Sequence, residues 1–466
     1  MTRHSPSVRI EGLEEGRRPV PDPSTCLLLH HGKCGRHCDD DCDFGEVGMS
    51  DKGSVAAARS AYGTPAPCVL LKHGEIFLKG RNRHRFTEQL HDNLRYALRG
   101  IGGSTWIKTA RNVTVIGGEV PQEALVERAR RVIGFSSVEP AVRVPSDLDA
   151  ITAAAVDVLR GSREGTTFAV RTKRRDKRFP LSSFQVDAHL GAVLLDQVPG
   201  LRVDLDQPDV TLAVEIDRKE TYLSWRRLPG LRGLPVGSSG RALVLLSGGY
   251  DSPVAAHRAM RRGLACDFVH FTGAPYTNPS SVYKAYALAR ELNRYQQPGS
   301  LYVIALGKAQ KQLAVAGAGR LQVVAQRRLM VRTASALAAR TGAEALVTGD
   351  SLGQVASQTL ANMVAVEEAA DLPVLRPLIG WDKQEIIDEA TTIGTAGISV
   401  LPDEDCCSLL TPPRVSTRAR LSQLHSVEKR LDLEEAVEAM VDSAQVFSPV
   451  ADEAPSDTGD RCPAPA

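Results

Sequence analysis

The sequence predicts an α/β protein: a doubly wound parallel-sheet domain preceded by α+β modules. Three observations predict it. From about residue 240 onward, short apolar runs alternate regularly with helical stretches, the pattern of strands joined by crossover helices. Between residues 63 and 228 short strands and helices are mixed without that regularity, as in α+β folds. The 466 residues, 42% apolar and 24% charged, suffice for two or three ordinary globular domains.

In chain order, residues 1–62 are polar and punctuated by Gly and Pro, and their pattern predicts a disordered extension. Cys34, Cys38 and Cys42 stand there beside His30, His31 and His37. Their C-x₃-C-x₃-C spacing is not a familiar zinc pattern, and no metal site is expected. Met49 offers an alternative start to the chain. Residues 63–125 open with the apolar run "CVLLKHGEIFLKG" and continue into a helix, "RFTEQLHDNLRYAL". Residues 126–228 hold the strands "TFAVRTKRR" and "VTLAVEI". Residues 229–445 carry the alternation: "RALVLL", "LACDFVHF", the helix "PSSVYKAYALARELNRY", "LYVIAL", the long helix "LQVVAQRRLMVRTASALAART" and "EALVTGD". Residues 446–466 are rich in Pro, Asp and Ala and are predicted to be a disordered tail.

Composition excludes several function classes. With 57 basic and 55 acidic residues the net charge is only +2, so any nucleic-acid surface must be a local patch. No apolar run reaches membrane-spanning length, and the N-terminus lacks the apolar core of a signal peptide. Nine unevenly spread cysteines do not resemble a disulfide framework. A soluble cytoplasmic protein is expected.

The segment with most chemistry is "LLSGGYDSPVAAH". An apolar strand ends at Ser247-Gly248-Gly249-Tyr250-Asp251-Ser252, and Pro253 suits the first turn of the helix that follows. Glycines there let the backbone turn sharply and bring its N–H groups against phosphate oxygens, while the helix adds its positive end. Ser247 and Ser252 add hydroxyls. A bare phosphate would repel Asp251, which is better suited to Mg²⁺ or to orienting the reacting groups. No G-x-x-x-x-G-K-[ST] motif occurs, so a loop of the γ-phosphate-transferring type is not expected.

Ser-Gly-Gly-x-Asp-Ser resembles the PP-loop of the ATP pyrophosphatases, which hold the pyrophosphate of ATP while a substrate oxygen attacks the α-phosphate. The resemblance runs further. "LKHGEIFLKGRNRHRF", "RTKRRDKRFPLSSFQVDAHLG", "VDLDQPDVTLAVEI", "LRGLPVG", "TGDSLGQVASQT" and "DEDCC" occur in the order found in the tRNA 4-thiouridine synthetases (tRNA uracil sulfurtransferases) over about residues 65–445. It implies a ferredoxin-like domain over 63–125, a THUMP RNA-binding domain over 126–228 and a PP-loop domain over 229–445. The activity it implies is ATP-dependent thiolation of uridine 8 in tRNA, through an adenylated base.

The resemblance also places site residues. ATP contacts fall on Leu245, Leu246, Ser247, Gly248, Gly249, Ser252, His270, Phe271, Arg327, Gly349 and Gln358, with Asp251 catalytic and Mg²⁺ as the expected ion. Six basic residues, Arg171, Lys173, Arg174, Arg175, Lys177 and Arg178, stand within eight positions, a density that suits phosphate contacts rather than base reading. With the THUMP resemblance, Lys173, Arg174 and Arg175 are expected on tRNA, joined by Lys79, Arg81 and Arg83 from the preceding module. "LPDEDCCSLLTPP" matches the family's sulfur-handling segment, and either Cys406 or Cys407 is expected to carry a persulfide. Neighbouring carboxylates disfavour a thiolate there, so a basic group or the bound tRNA must compensate.

Some members append a rhodanese domain. This chain ends shortly after the shared region, so a separate cysteine desulfurase, a sulfur carrier or sulfide itself is the expected donor. The family's second role, sulfur transfer for thiamine thiazole synthesis, stays open, as does a homodimer. Two other functions compete. An amide-forming PP-loop ligase would leave the THUMP-like region unexplained and lacks a visible glutaminase half. A tRNA-binding protein without catalysis would not need an intact Ser-Gly-Gly-x-Asp-Ser loop.

Overall fold

The computed structural model describes residues 65–450, apart from 111, 112, 405 and 407–409. The Cys34–Cys38–Cys42 group therefore lies outside the described residues. The front half runs β1 (Ala66–His73), α1 (Arg83–Ala97), β2 (Thr105–Ala110), β3 (Val113–Gly118), α2 (Gln122–Arg130), β4 (Phe135–Pro145), α3 (Leu148–Leu159), β5 (Thr167–Arg174), α4 (Ser183–Gln197), β6 (Arg202–Val203), β7 (Val210–Ile216), β8 (Glu220–Ser224) and β9 (Leu228–Pro229). The expected strand "CVLLKHGEIFLKG" stops at His73, and Glu75–Leu78 forms a 3₁₀ turn instead.

These strands form one sheet, in the order β2-β3-β1-β4-β8-β7-β5-β6, with β9 beside β4. β4 is the shared strand. It pairs antiparallel with β1 (Val69↔Pro140) and, further along, with β8 (Val142↔Leu223). Two cores lie beneath the helices on one face of the sheet, and a smaller cluster of Cys68, Leu70, Val113, Val115, Ala141 and Tyr222 lies apart from them. Val69, Leu71, Leu90, Leu94, Leu125, Ala129 and Phe135 form one, and Val144, Ile151, Phe168, Val186, Leu190, Leu212 and Leu223 the other. Each such Val or Leu contributes about 2 kcal/mol on burial. A boundary at 125/126 is thus corrected: it would cut α2, whose Leu125 and Ala129 belong to the first core.

The opposite face of the sheet carries charge in pairs. Lys72 pairs with Glu215, which also takes Arg175. Lys108 (2.9 Å) and Arg143 (3.3 Å) share Glu220, and Tyr222 donates to the same carboxylate at 2.7 Å. Burial alone would raise the Glu215 and Glu220 carboxyls, yet their cationic and hydrogen-bonding partners hold both below the usual range.

The second half runs β10 (Arg241–Leu245), α5 (Asp251–Met260), β11 (Ala265–Thr272), α6 (Ser280–Leu292), β12 (Leu301–Ala305), α7 (Gly307–Val315), α8 (Gln322–Thr341), β13 (Ala345–Val347), α9 (Leu360–Glu367), β14 (Val374–Leu375), α10 (Lys383–Thr392), α11 (Ala396–Ser399), α12 (Leu421–Glu428), α13 (Leu433–Asp442) and β15 (Gln445–Phe447). The sheet order is β14-β13-β10-β11-β12-β15, parallel except for β15. Period-2 alternation sends Leu243 and Val269 into one core and Val244 and Phe268 into the other, as a sheet covered by helices on both faces requires. The predicted tail needs one correction. Residues 445–447 pair with β12 (Tyr302↔Val446), because the outer edge of β12 offers unpaired backbone groups to the chain that returns beside it.

In the first core His73 and His91 approach one hydroxyl, each placing Nε2 at 2.9 Å from Thr114 Oγ1. Burial pushes both rings down from 6.5 to about 4, with the His91 ring and Arg83 adding to this at His73, and Arg95 at His91. The folded chain thus keeps these rings neutral where the unfolded chain binds protons, between pH about 4 and 6.5. Stability rises with pH across that window and is lost as pH falls through it, by on the order of 3 kcal/mol per ring. Urea unfolding of His91→Gln should show a flatter dependence between pH 4.5 and 7 than the wild type. An equal slope would place the titration elsewhere.

Candidate nucleotide and sulfur site

β10 ends at Leu245, and Leu246 extends the ladder by donating to Val269 O at 2.8 Å. The chain then curls through Ser247–Tyr250 into α5. The curl is held by hydroxyls. Ser247 N–H donates to Ser252 Oγ (2.8 Å), the two Oγ atoms stand 3.0 Å apart, and Gly249 N–H donates to Ser247 Oγ (3.3 Å). Ser247 and Ser252, expected as phosphate donors, therefore first shape the loop. Pro253 is the third residue of α5, where an N–H would lack a partner within the helix.

Two glycines are fixed by close approach rather than by conformation. A Cβ on Gly349 would lie 2.6 Å from Ser252 N and 2.7 Å from the Asp251 carbonyl carbon, so the end of β13 abuts the start of α5. A Cβ on Gly248 would collide with the Asp403 carboxylate and lie 3.1 Å from Lys284 Cδ.

Asp251 is bridged by two side chains that the sequence reading did not single out. Lys383 Nζ reaches Oδ1 at 2.8 Å and Gln354 Nε2 reaches Oδ2 at 3.0 Å. Lys383 also stands 5.3 Å from the centre of the Tyr250 ring. A second carboxylate, Asp350, gathers predicted residues that sequence spacing could not join. Arg327 pairs with it, Gln358 Nε2 donates at 3.3 Å, Thr348 Oγ1 at 2.9 Å, and Arg376 lies at 3.4 Å. Burial alone would raise the Asp350 carboxyl, but Arg327, Thr348 and Arg376 hold it below its ordinary value. "VTGD" held the signal: an acid directly after the glycine at a strand end.

His270 and Phe271 are buried, and His270 is committed. Its Nδ1 lies 2.9 Å from Leu246 O and its Nε2 3.1 Å from Ser281 Oγ, tying β11 to the loop and to α6. Leu245, Leu246, the loop, His270, Phe271, Arg327, Gly349 and Gln358 thus gather around the carboxyl ends of β10, β11 and β13, where open parallel sheets take ligands.

Cys406 is 3% exposed and sits in the core beside α8, its carbonyl receiving Gln310 Nε2 at 2.8 Å. Cys407 lies outside the described residues. The chain before Cys406 is tied to the loop. Buried Lys284 donates to Leu401 O (2.5 Å) and Asp403 Oδ1 (3.0 Å), Ser399 Oγ donates to Gly249 O (3.2 Å), and Asn278 N–H donates to Glu404 Oε2 (2.8 Å). Lys284 sets one positive charge against the acidic run before Cys406, by pairing with Asp403. It lies 119 residues from Asp403 in sequence, so no local pattern could reveal it.

The expected RNA residues divide. Arg81 and Lys173 are exposed, Lys79 lies 5.1 Å from the Phe86 ring centre, and Arg83 is half-buried at the start of α1. Arg174 is committed to the carbonyls of Phe179 (3.3 Å) and Leu181 (2.8 Å), and Arg175 to Glu215. The dense basic run therefore does not face outward as one stripe.

The fold and loop define an α/β enzyme of the ATP pyrophosphatase class, joined to an RNA-binding type of front half. Family models match in three places: the ThiI ferredoxin-like domain over 68–138, the THUMP domain over 145–226, and the thiamine biosynthesis protein (ThiI) over 237–433. A probable tRNA sulfurtransferase of Nocardia farcinica is 57% identical over 389 residues, 82% of this chain and 94% of that protein. Another from Moorella thermoacetica is 42% identical, covering 82% and 97%. The solved 4-thiouridine synthetase–RNA complex with bound ATP superposes with TM-score 0.75 at 31% identity, covering 82% of this chain and 99% of that one. The chain belongs to the tRNA sulfurtransferase family.

The space around Gly349 yields a structural test. Gly349→Ala places a methyl group against backbone atoms that have no flexible end to move, at a cost of about 1–3 kcal/mol. Thermal unfolding should show a Tm lower by several degrees. A Tm equal to wild type would mean that β13 and α5 separate more easily than their packing indicates.

Proposed function

We propose that this protein transfers sulfur to uridine 8 of tRNA, forming 4-thiouridine at the expense of ATP. One observation carries this reading: the Ser247–Ser252 loop and the segment leading to Cys406 meet directly, through Gly248, Asp403 and Lys284. A nucleotide-activated base and a sulfur donor would then share one pocket.

The loop backbone at Gly248 and Gly249 and the start of α5 receive the pyrophosphate portion of ATP. Uracil O4 attacks the α-phosphorus, the bond to pyrophosphate breaks, and the base carries AMP on O4. Asp251, held by Lys383 and Gln354, faces this region as a fixed carboxylate. Among the described residues no three His, Cys, Asp or Glu side chains converge as a metal group. A lone loop carboxylate still suits Mg²⁺, which binds through one or two carboxylates plus substrate phosphates. Asp251 would hold it, and the ion would neutralise charge on the leaving pyrophosphate.

Adenylation makes C4 electrophilic. The outer sulfur of a persulfide on Cys406 or Cys407 attacks C4 and AMP departs, leaving the base disulfide-linked to the protein. A second thiol attacks the cysteine sulfur, freeing 4-thiouridine and leaving a disulfide that an external thiol reduces. A cysteine desulfurase or a separate sulfur carrier supplies the persulfide. The same persulfide could serve a thiamine-pathway sulfur carrier. The front half supplies the tRNA grip through Lys79, Arg81, Arg83 and Lys173, with Arg174 and Arg175 shaping the loop beside Lys173.

Asp251→Asn should lower tRNA-dependent pyrophosphate release by about 100-fold or more with an unchanged melting curve. Replacing Cys406 and Cys407 together by Ser should leave that release intact and abolish 4-thiouridine in nucleoside mass spectrometry with a persulfide donor. Pyrophosphate release at wild-type rate in Asp251→Asn, or normal thiolation in the double variant, would remove those residues from the mechanism.

For the RNA surface, Lys173→Ala should flatten the salt dependence of tRNA binding by about one phosphate equivalent. Arg175→Ala should instead lower the urea midpoint, since buried Glu215 loses a partner. Equal effects of the two on the salt slope would put both side chains on RNA.

A further inference from the structure

The PP-loop has no lysine of its own, yet Lys284 lies at its back. Its ammonium is buried, its Cδ would be 3.1 Å from a Cβ on Gly248, and it donates to two groups of the segment before Cys406: Leu401 O at 2.5 Å and Asp403 Oδ1 at 3.0 Å. Asp403 presses its other oxygen onto Gly248, leaving no room for a side chain there. A carboxylate on a glycine of an anion-binding loop, paired with a buried cation, occupies the place and charge of a phosphate oxygen.

We propose that Lys284 is a phosphate-binding residue of the nucleotide site, and that the Asp403 carboxylate is an internal stand-in that ATP's phosphates displace. The proposal rests on the ATP-dependent function proposed above. A buried ammonium beside Gly248 gains a dianionic partner in place of a monoanionic one when a phosphate arrives. Asp403 must then leave, because both cannot rest on Gly248. The anchor of residues 401–404 to the loop is released in the same exchange, since Lys284 holds Leu401 O and Asp403 together. Nucleotide loading thus exchanges the Asp403 tie at this ammonium for a phosphate, while the Ser399 hydroxyl on Gly249 O still holds the cysteine-bearing segment beside the loop.

The test measures binding of ATP and, by competition, of adenosine to full-length wild type, Asp403→Asn, Lys284→Gln and the double variant. Asp403→Asn keeps the shape and removes the competing charge, so ATP should bind about three- to tenfold tighter. Lys284→Gln should weaken ATP binding about tenfold or more. Adenosine, lacking phosphates, should bind all four proteins alike. In the double variant the gain from Asp403→Asn should vanish, because the cation it was masking is gone. The proposal fails if Asp403→Asn binds ATP no tighter, if its gain persists without Lys284, or if adenosine is weakened as much as ATP. Should Lys284→Gln not fold, Lys284→Arg replaces it, and the loss of the Asp403→Asn gain in that background would count against the exchange. Wild-type protein that binds no ATP would overturn the proposed function itself, whereas wild-type binding with unmoved variants overturns only this inference.

Discussion

No side chain fits at Gly248 or Gly349, and much of the α/β half is organised by that constraint. At Gly349 the end of β13 lies against the first turn of α5. At Gly248 the loop lies against Asp403, which arrives from beyond α11. Three stretches far apart in the chain are thereby brought to one point: the strand-to-helix loop, the Thr348–Asp350 strand end and the acidic segment before Cys406. Each brings polar or reactive groups to that point. The loop brings backbone N–H groups, Asp350 organises Arg327 and Gln358, and the acidic segment brings a thiol.

Holding polar groups in a dry region is costly unless they are paired, and the domain pairs them over long sequence distances. Arg328 is buried yet meets Glu428 at 2.5 Å, Glu368 at 2.7 Å and the Ala365 carbonyl. The arrangement locks α8 to α9 and α12. Removing one partner of such a pair costs about 3–5 kcal/mol, because the other charge stays behind. Gln310, fully buried, joins Cys406 O and, through its own carbonyl, Gln322. These contacts fix α7, α8 and the cysteine segment relative to one another.

The front half follows a different rule. β4 belongs to two cores, so the ferredoxin-like and THUMP regions share one sheet rather than meeting as separate bodies. Helices cover one face. On the other, Glu215 and Glu220 draw in Lys72, Arg175, Lys108 and Arg143, while Arg171, Lys173, Lys177 and Arg178 are the exposed positions of the basic run, Arg178 paired with Asp176. Counting basic residues in sequence overstates what remains for a polyanion, because buried carboxylates take their share first.

The sequence by itself determined the fold class and the position of the loop between strand and helix. Both are written in local signals: apolar runs of strand length, helical spacing, and Gly-Gly at a strand end followed by Pro253 in the first helical turn. Those signals act over a few residues, so they survive without knowledge of the rest of the chain. It also marked Arg327, Gly349 and Gln358 as expected ATP contacts, through resemblance rather than through any period. Only the tertiary structure decided what these residues are tied to. That Lys383 and Gln354 hold Asp251 and that Lys284 joins Asp403 are contacts across more than a hundred residues, and Asp350 draws Arg327 from 23 residues away on α8. So too is the commitment of Arg175 to Glu215, 40 residues on. A side chain's partner across such a span is set by which strands lie side by side and which helix faces pack on them, and those are properties of the assembled sheet.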